Sequence, residues 1–194
     1  MRMALKLDAG PVADVERVPV GPLDTARELD AALATACVPL LARVLPKIAA
    51  GTQHFTAQDE SQVSFCRRLD KADGALDFSA PAAALAARIN GLMPWPGCAV
   101  AINGQVVKLG LADVGTPSDH KPVGAGVVLG TDEHGLLVST GQGTLRLRLL
   151  QRPGGRMLPA AEFVRGFPVA VGTVLPSQAM TPLVAPTPFP RVKG

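Results

Sequence analysis

The change of pattern at Gly97 constrains the fold more than any other feature of this 194-residue sequence. Before Gly97, apolar residues recur at helical spacing. After it, short apolar or alternating segments are separated by glycine-rich turns. Period-2 alternation is typical of half-buried strands. The sequence therefore predicts an α+β protein in which a small β-rich domain follows a mainly helical part.

The β-rich part contains five predicted strands, at residues 98–102, 105–113, 126–129, 135–139 and 144–150. Asn103-Gly104 joins the first two, and this dipeptide is a strong signal for a two-residue hairpin turn. Five short strands with glycine-rich turns favour a small closed barrel of the OB type. A short helix at 159–166 and a last apolar stretch complete this domain.

Two helices are predicted before the barrel. The first begins at the capping box Thr25-Ala26-Arg27-Glu28 and ends at Gly51, with a kink or two consecutive helices expected near Cys37 because Pro39 interrupts the apolar stripe. The second begins at Ser79, a possible N-cap, and carries Pro81 in its first turn.

These elements predict two domains with flexible connections. Short strands and turns before the first helix complete domain 1–51, and the polar, irregular segment 52–78 is predicted to be a linker. The OB-like domain then spans 79–176, and the proline-rich residues 177–194 form a flexible tail.

The composition narrows the function classes. Three scattered cysteines without a CxxC pair, and no clustered histidines, argue against a zinc site, so no metal is expected. No signal peptide and no apolar run of about 18 residues are evident, which predicts a cytoplasmic protein without a membrane partner.

Positive charge is concentrated in the second part. Residues 91–194 carry nine Lys or Arg against five Asp or Glu, a net charge of 9 − 5 = +4. Arg146 and Arg148 alternate with leucines, so both are predicted to point outward, where they suit contacts to phosphates. The other basic residues of the barrel are Lys108, Lys121, Arg152, Arg156 and Arg165. An ordinary solvated face stays open as the alternative.

Aromatic residues are scarce, with one Trp, no Tyr and six Phe. Stacking of bases as in single-strand binders is therefore not expected. Trp95, which lies between two prolines, is predicted to pack between the domains instead.

Several segments occur in one order along the chain. They are Leu7-Asp8-Ala9-Gly10-Pro11, Gln58-Asp59-Glu60, Lys71-Ala72-Asp73-Gly74-Ala75-Leu76-Asp77-Phe78, Pro94-Trp95-Pro96-Gly97, Gly141-Gln142-Gly143-Thr144-Leu145-Arg146-Leu147, Arg156-Met157 and Phe163-Val164-Arg165-Gly166. Together they resemble the methionyl-tRNA formyltransferase family over nearly the whole chain. The resemblance implies a truncated remnant of an α/β formyltransferase domain at 1–51, followed by the OB-like domain.

The resemblance also implies an activity and its partners. The family transfers a formyl group from 10-formyltetrahydrofolate to the amino group of methionyl initiator tRNA in translation initiation, and a monomer is expected. Asp8 matches the catalytic carboxylate, which would orient a histidine. The tRNA would be contacted by Lys108, Arg146, Arg148, Arg152 and Arg156. The family's catalytic Asn and His and its folate loop have no match, so this chain alone is expected to be inactive. Met1 is expected to be internal to a longer protein.

Three positions depart from the family pattern. Asn90 replaces an arginine and Met93 an asparagine, which puts local tRNA contacts in doubt, whereas Phe78 replaces a tryptophan and keeps an aromatic core role.

Two other functions stay open. One is a stand-alone RNA-binding module without catalysis. The other is a relative of the sugar-nucleotide formyltransferases, against which the Pro-Trp-Pro-Gly segment and the Arg-Met and Phe-Val-Arg-Gly segments argue.

Overall fold

The computed structural model describes residues 1–116 and 124–190, and the chain divides into two compact units. The first unit comprises Met1–Val20, Glu28–Arg67 and Val184–Gly194, and the second comprises Gly21–Arg27 and Arg68–Leu183. In chain order the helices are α1 (Ala26–Ala49), α2 (Ala82–Gly91) and α3 (Ala160–Gly166). The strands are β1 (Phe65–Cys66), β2 (Cys98–Ile102), β3 (Gln105–Val114), β4 (Val128–Thr131), β5 (Leu136–Ser139), β6 (Thr144–Gln151), β7 (Leu158–Pro159) and β8 (Val184–Ala185).

An antiparallel sheet organises the second unit. Its strand order is β2-β3-β6-β5-β4, and β7 pairs with the end of β6. Each of the five strands predicted from alternation corresponds to one of β2 to β6. The predicted hairpin turn between β2 and β3 is present, with φ of 49° at Asn103 and 76° at Gly104. Positive φ at both central positions is the mark of a type I′ turn, for which Asn-Gly is a preferred dipeptide.

The closed barrel is not observed. Among the described residues, the edge strands β2 and β4 do not pair with each other, so the sheet is open. The outer edge of β4 is occupied by another segment: Val128 N donates to Thr173 O, and Leu175 N donates to Gly126 O, both at 2.8 Å. Because these groups are already paired, β4 has no free edge at this point with which to meet β2.

The core of the second unit lies between the sheet and helices α2 and α3. It contains Leu76, Phe78, Ala82, Leu85, Ala86, Ile89, Leu92, Cys98, Val100, Ile102, Val107, Leu109, Ala112, Val128, Leu136, Val138, Leu145, Leu147, Leu150, Ala160, Phe163 and Leu175. Phe78 is fully buried, in keeping with the aromatic core role expected of it. Burial raises the pKa of the Cys98 thiol to about 11, so this cysteine is an unreactive part of the core.

The predicted linker and tail are partly structural. Leu76 and Phe78 of the segment assigned to the linker are core residues. The backbone N–H of Phe78 donates to Ser177 Oγ at 3.0 Å, and Gln178 N donates to Leu76 O at 2.8 Å. The start of the predicted flexible tail is thus held against the core by hydrogen bonds that its polar sequence did not indicate.

Helix α2 begins differently from the prediction. Its N-cap is Pro81 rather than Ser79, and no side chain caps it. The N–H of Ala82 donates instead to Gln142 O at 2.9 Å. A backbone carbonyl from the turn before β6 thus satisfies one of the donors that a helix start leaves open.

Asn90 at the end of α2 has a structural role. It is 3% exposed, and its side chain makes two hydrogen bonds with Ala112: Nδ2 donates to Ala112 O at 2.8 Å, and Oδ1 accepts from Ala112 N at 2.9 Å. The β3–β6 register shifts just before Ala112. The Asn90 amide therefore pairs with backbone groups at a bulge.

The first unit has less regular structure than predicted. Residues 1–5 and 15–20 form no strands, and Val12 pairs with Thr56 in a single bridge. Strands need a partner, and the described residues of this unit offer none to these segments. Helix α1 runs through Pro39 as one element, so it does not divide into two consecutive helices near Cys37. The good helix formers on both sides of the proline outweigh its missing hydrogen bond.

Helix α1 is apolar on more than one side. Its only buried residue is Val44. The large apolar residues of this helix that are exposed are Leu33, Val38, Leu41, Leu45 and Ile48. By length and composition α1 could span a membrane, with a mean hydropathy of 1.5 over 18 residues. The expectation that no segment has this composition is therefore wrong, although a helix from a protein core meets the same criteria.

Candidate functional site

Asp8 lies on a tight turn near the start of the first unit. Its φ is 53°, a left-handed conformation that Asp tolerates better than most residues. Ala9 N donates to Lys6 O at 3.4 Å across this turn, and Arg2 N donates to Pro11 O at 2.9 Å across the longer loop that contains it. A Cβ at Gly10 would lie 1.7 Å from Arg2 O, so only glycine fits there. The resemblance predicted Asp8 as a catalytic carboxylate, and this turn leaves it exposed.

Gln58 holds the Asp8 turn in place. Its Nε2 donates to Asp8 O and to Gly10 O, both at 2.7 Å. One amide thus connects the turn to a segment about 50 residues later in the chain. Sequence reasoning identified Gln58 only as part of a family motif. Its position directly before two acidic residues gave no sign of a backbone contact.

A cavity of about 1060 Å³ surrounds this turn within the first unit. Its wall includes Lys6, Asp8, Arg17, Asp59 and Glu60. Hydrogen bonds from the Ser61 hydroxyl, the Ser61 N–H and the Gln62 amide lower the pKa of Asp59. Two cations and three carboxylates on one wall suit a polar ligand. None of the described histidines or asparagines lines this cavity.

The outer face of the second unit's sheet carries an ion-pair network. Arg146 Nε donates to Asp132 Oδ2 at 2.8 Å, and Arg146 Nη1 donates to Asp113 Oδ2 at 3.2 Å. Arg148 Nη1 reaches the same Asp113 oxygen at 3.1 Å. Burial disfavours the charge on Arg146, but the hydrogen bond to Asp132 and the attraction of Asp113 outweigh it and raise the pKa of Arg146.

This network corrects the prediction for Arg146. Both arginines lie on β6 as expected, but the side chain of Arg146 is only 11% exposed and that of Arg148 only 22%. Cross-strand pairing sets Asp113 directly opposite Arg146. The alternation with leucines correctly predicted that the two arginines lie on the face of β6 opposite to the buried leucines. It could not show that two aspartates from other segments neutralise the arginines there.

The other basic residues expected on this surface and described by the structure are all exposed; they are Lys108, Arg152, Arg156 and Arg165. Lys108, Arg156 and Arg165 form no ion pair within the described part of the chain. Lys121, also expected on this surface, lies outside the described residues.

Hydrogen bonds place these four cations at one end of β6. Lys108 stands opposite Gln151 in the β3–β6 register, and Gln151 Nε2 donates to the carbonyl of Gly155, the residue before Arg156. Arg152 Nη1 donates to the carbonyl of Gly166, the residue after Arg165, at 3.3 Å. We call Lys108, Arg152, Arg156 and Arg165 the basic edge.

No metal site accompanies these features. Within residues 1–116 and 124–190, no three His, Cys, Asp or Glu side chains group so that they could hold an ion. Cys37 and Cys66 are exposed and Cys98 is buried.

Comparison with known proteins gives a consistent result. The family described as formyl transferase, C-terminal domain, matches residues 68–168. Methionyl-tRNA formyltransferase of Acidovorax ebreus is 35% identical over 176 residues, which are 90% of this chain and 54% of that protein. The Burkholderia mallei enzyme of the same name is 37% identical over 173 residues, 89% of this chain and 52% of that protein. The chain thus spans about half the length of these relatives.

Solved structures share the fold at lower identity. HypX from Aquifex aeolicus in complex with tetrahydrofolic acid has a TM-score of 0.56 and 17% identity, covering 83% of this chain and 28% of HypX. A HypX variant with six substitutions reaches a TM-score of 0.59 over 87% of this chain and 30% of its own. At this identity the likeness concerns the fold alone.

Proposed function

The chain belongs to the formyl transferase family, through that family's C-terminal domain, and from this premise we propose that it functions in a methionyl-tRNA formyltransferase. In this proposal a formyl group passes from 10-formyltetrahydrofolate to the amino group of methionyl initiator tRNA in translation initiation. The observation that carries the proposal is the 35–37% identity over about 90% of the chain to proteins of that name. A tRNA substrate implies the cytoplasm as the compartment.

In this function the second unit would hold tRNA through its phosphates. The support is the basic edge, which is exposed and contains three cations without an ion pair among the described residues. Arg and Lys at such positions contact phosphate oxygens and position an RNA without reading its sequence. Arg146 and Arg148 are proposed to act mainly through the network with Asp113 and Asp132. The relation of this unit to the OB barrels stays a prediction.

Asp8 is proposed as the carboxylate of the transfer site. The attacking amine must lose a proton, and a carboxylate can orient a histidine that accepts it. The cavity beside Asp8 has the size of a small-molecule site, but within residues 1–116 and 124–190 no histidine or asparagine contributes to its wall. These residues thus supply only part of the machinery for a folate donor. The complex of HypX with tetrahydrofolic acid is compatible with such a donor.

Binding of initiator tRNA at several salt concentrations tests this proposal. Lys108→Ala should weaken binding and lower the slope of log affinity against log salt by roughly 0.7–0.9, because one phosphate contact is lost. Lys47→Ala is the matched control, since Lys47 is an exposed lysine at the end of α1 in the first unit. Equal slopes for Lys108→Ala, Lys47→Ala and the unaltered chain would show that the basic edge only keeps the surface hydrated.

A formylation assay separates the enzyme from a binding module. The purified 194-residue chain, given methionyl-tRNA and formyl donor, is expected to form no product above a blank, because no histidine or asparagine of the described part of the chain lines the cavity beside Asp8. A longer chain that includes those groups should turn over. There, Asp8→Asn should reduce the rate by about 10²–10⁴-fold. A rate within a few-fold of the unaltered chain would make Asp8 a turn residue and favour the non-catalytic RNA-binding module.

A further inference from the structure

Trp95 is the only tryptophan of the chain, and 55% of it is exposed. It was expected to pack as a hinge. Its segment connects α2 to β2 and is fixed on both sides: Met93 N donates to Asn90 O at 3.2 Å, and Gly97 N donates to Leu92 O at 2.9 Å. A Cβ at Gly74 would lie 2.2 Å from Gly97 O, so this backbone also packs tightly from outside. The indole of Trp95 is therefore exposed to solvent, while hydrogen bonds and close packing hold the backbone of its loop.

The exposure of Trp95 contrasts with the other aromatic residues of the same unit. Phe78 and Phe163 are fully or almost fully buried, and Phe167 packs edge-on against Phe163 with ring centroids 5.3 Å apart. An indole carries a large apolar area whose burial is favourable, and an exposed one on a fixed backbone is a common anchor for a partner. The second unit thus has one aromatic side chain available for a ligand.

The surroundings of Trp95 favour a polyanion as that ligand. Lys108 is paired in register with Ala99, four residues after Trp95. Chain geometry therefore limits their Cα separation to about 20 Å. Lys108 belongs to the basic edge, and two arginines already engage the carboxylate of Asp113 on the same strand. An exposed aromatic ring on the same unit as exposed cations is the combination with which proteins hold single-stranded nucleic acid.

We propose that Trp95 is a stacking platform for one unpaired base at the single-stranded end of an RNA whose phosphates contact the basic edge. This inference rests on the proposed tRNA function and adds to it a residue and a part of the RNA. The scarcity of aromatics excludes a track of stacked bases. One exposed indole provides a single stacking position.

Fluorescence of the unaltered chain gives a direct test, because the sequence contains one Trp and no Tyr. The chain is titrated with a tRNA and with the same tRNA shortened by its unpaired 3′ nucleotides. A short oligoribonucleotide with the sequence of those nucleotides is the third probe. We expect the emission of Trp95 to be quenched by the complete tRNA and by the oligoribonucleotide, and unchanged by the shortened tRNA even when that RNA is bound.

Substitutions of Trp95 give a second test, in which RNA affinity is measured from the fluorescence anisotropy of labelled RNA. Trp95→Leu should weaken binding of the complete tRNA by roughly 5- to 100-fold, the range that base stacking on an aromatic provides, and leave the shortened tRNA unaffected. Trp95→Phe should retain most of the affinity. Val106→Ser, at a 61% exposed apolar residue of the neighbouring hairpin, is the control and should change nothing.

The outcomes distinguish this inference from the function on which it rests. If tRNA binds with the expected salt dependence but Trp95 emission and Trp95→Leu affinity are unchanged, the stacking platform is wrong and the tRNA function stands. If neither tRNA nor oligoribonucleotide binds at any salt concentration, both are wrong. Circular dichroism of Trp95→Leu confirms that the variant is folded.

Discussion

The two units place their apolar residues in opposite ways. In the second unit, strands β2 to β6 and helices α2 and α3 enclose a core whose leucines and valines are almost completely buried. In the first unit, helix α1 buries only Val44, while Leu33, Leu41 and Leu45 are each more than half exposed. A helix with apolar residues on all sides is usually buried on all sides. The comparison shows that the second unit contains its own partners, whereas α1 exposes apolar surface that its own unit does not cover.

The largest expected difference between the units comes from removing an aromatic ring. Phe78→Ala should lower the free energy of unfolding by about 3–5 kcal/mol, because a fully buried ring leaves a cavity. Phe55→Ala in the first unit, where the ring is half-buried beneath Arg2, should cost about 1 kcal/mol or less. Urea unfolding followed by Trp95 fluorescence and circular dichroism measures both. Similar losses would mean that the first unit has a core comparable to that of the second.

The next effect sharpens the comparison within the second unit itself. Arg146→Met should destabilise the chain by about 1–3 kcal/mol, because Asp113 and Asp132 then stay partly buried without their main partner. Arg148→Met removes one hydrogen bond to Asp113 from a more exposed side chain and should cost less than about 1 kcal/mol. Thermal unfolding of the two variants compares them. Equal destabilisation would contradict the central position of Arg146 in the network.

Acid should reveal the same network through Asp132. Burial disfavours ionisation of this carboxyl, but hydrogen bonds from Arg146 and from two backbone N–H groups outweigh it and lower its pKa. A lowered folded pKa adds stability above the unfolded value of about 3.9, and this stability is lost as the pH falls through the lowered pKa. Between about pH 5 and pH 2, the free energy of unfolding should therefore decrease less for Asp132→Asn than for the unaltered chain. The difference between the two decreases should be on the order of 1 kcal/mol. Identical pH profiles would show that Asp132 contributes nothing through its charge.

The smallest effect is expected on α1. Leu45→Ala should change the free energy of unfolding by no more than about 0.5 kcal/mol, because this side chain is 56% exposed. Chemical denaturation at several protein concentrations is the measurement. A loss as large as that of a core leucine would show that this face of α1 is covered in solution, and the contrast between the two units would then be wrong.

Local pattern determined much of the second unit. Alternation located the five strands, Asn103-Gly104 located the hairpin, and the apolar spacing located helices α2 and α3 within a few residues. These signals depend on neighbours along the chain, so they are readable without the fold. The ordered segments also revealed the family, which the comparison with known proteins confirms.

Contacts between distant segments decided the rest. Asp113 and Asp132 neutralise Arg146, Asn90 pairs with Ala112, and the 172–175 segment occupies the edge of β4 where closure of a barrel was expected. Nothing in the spacing of charges or amides along the sequence indicates which residue will face them across a sheet. The exposure of Trp95 likewise depends on what packs around its loop. For the second unit, the sequence by itself determined where the strands lie and which face they turn inward, because these follow from side-chain periodicity. Only the tertiary structure decided which polar and aromatic groups are satisfied within the chain and which stay available to a ligand, because that depends on partners many residues away.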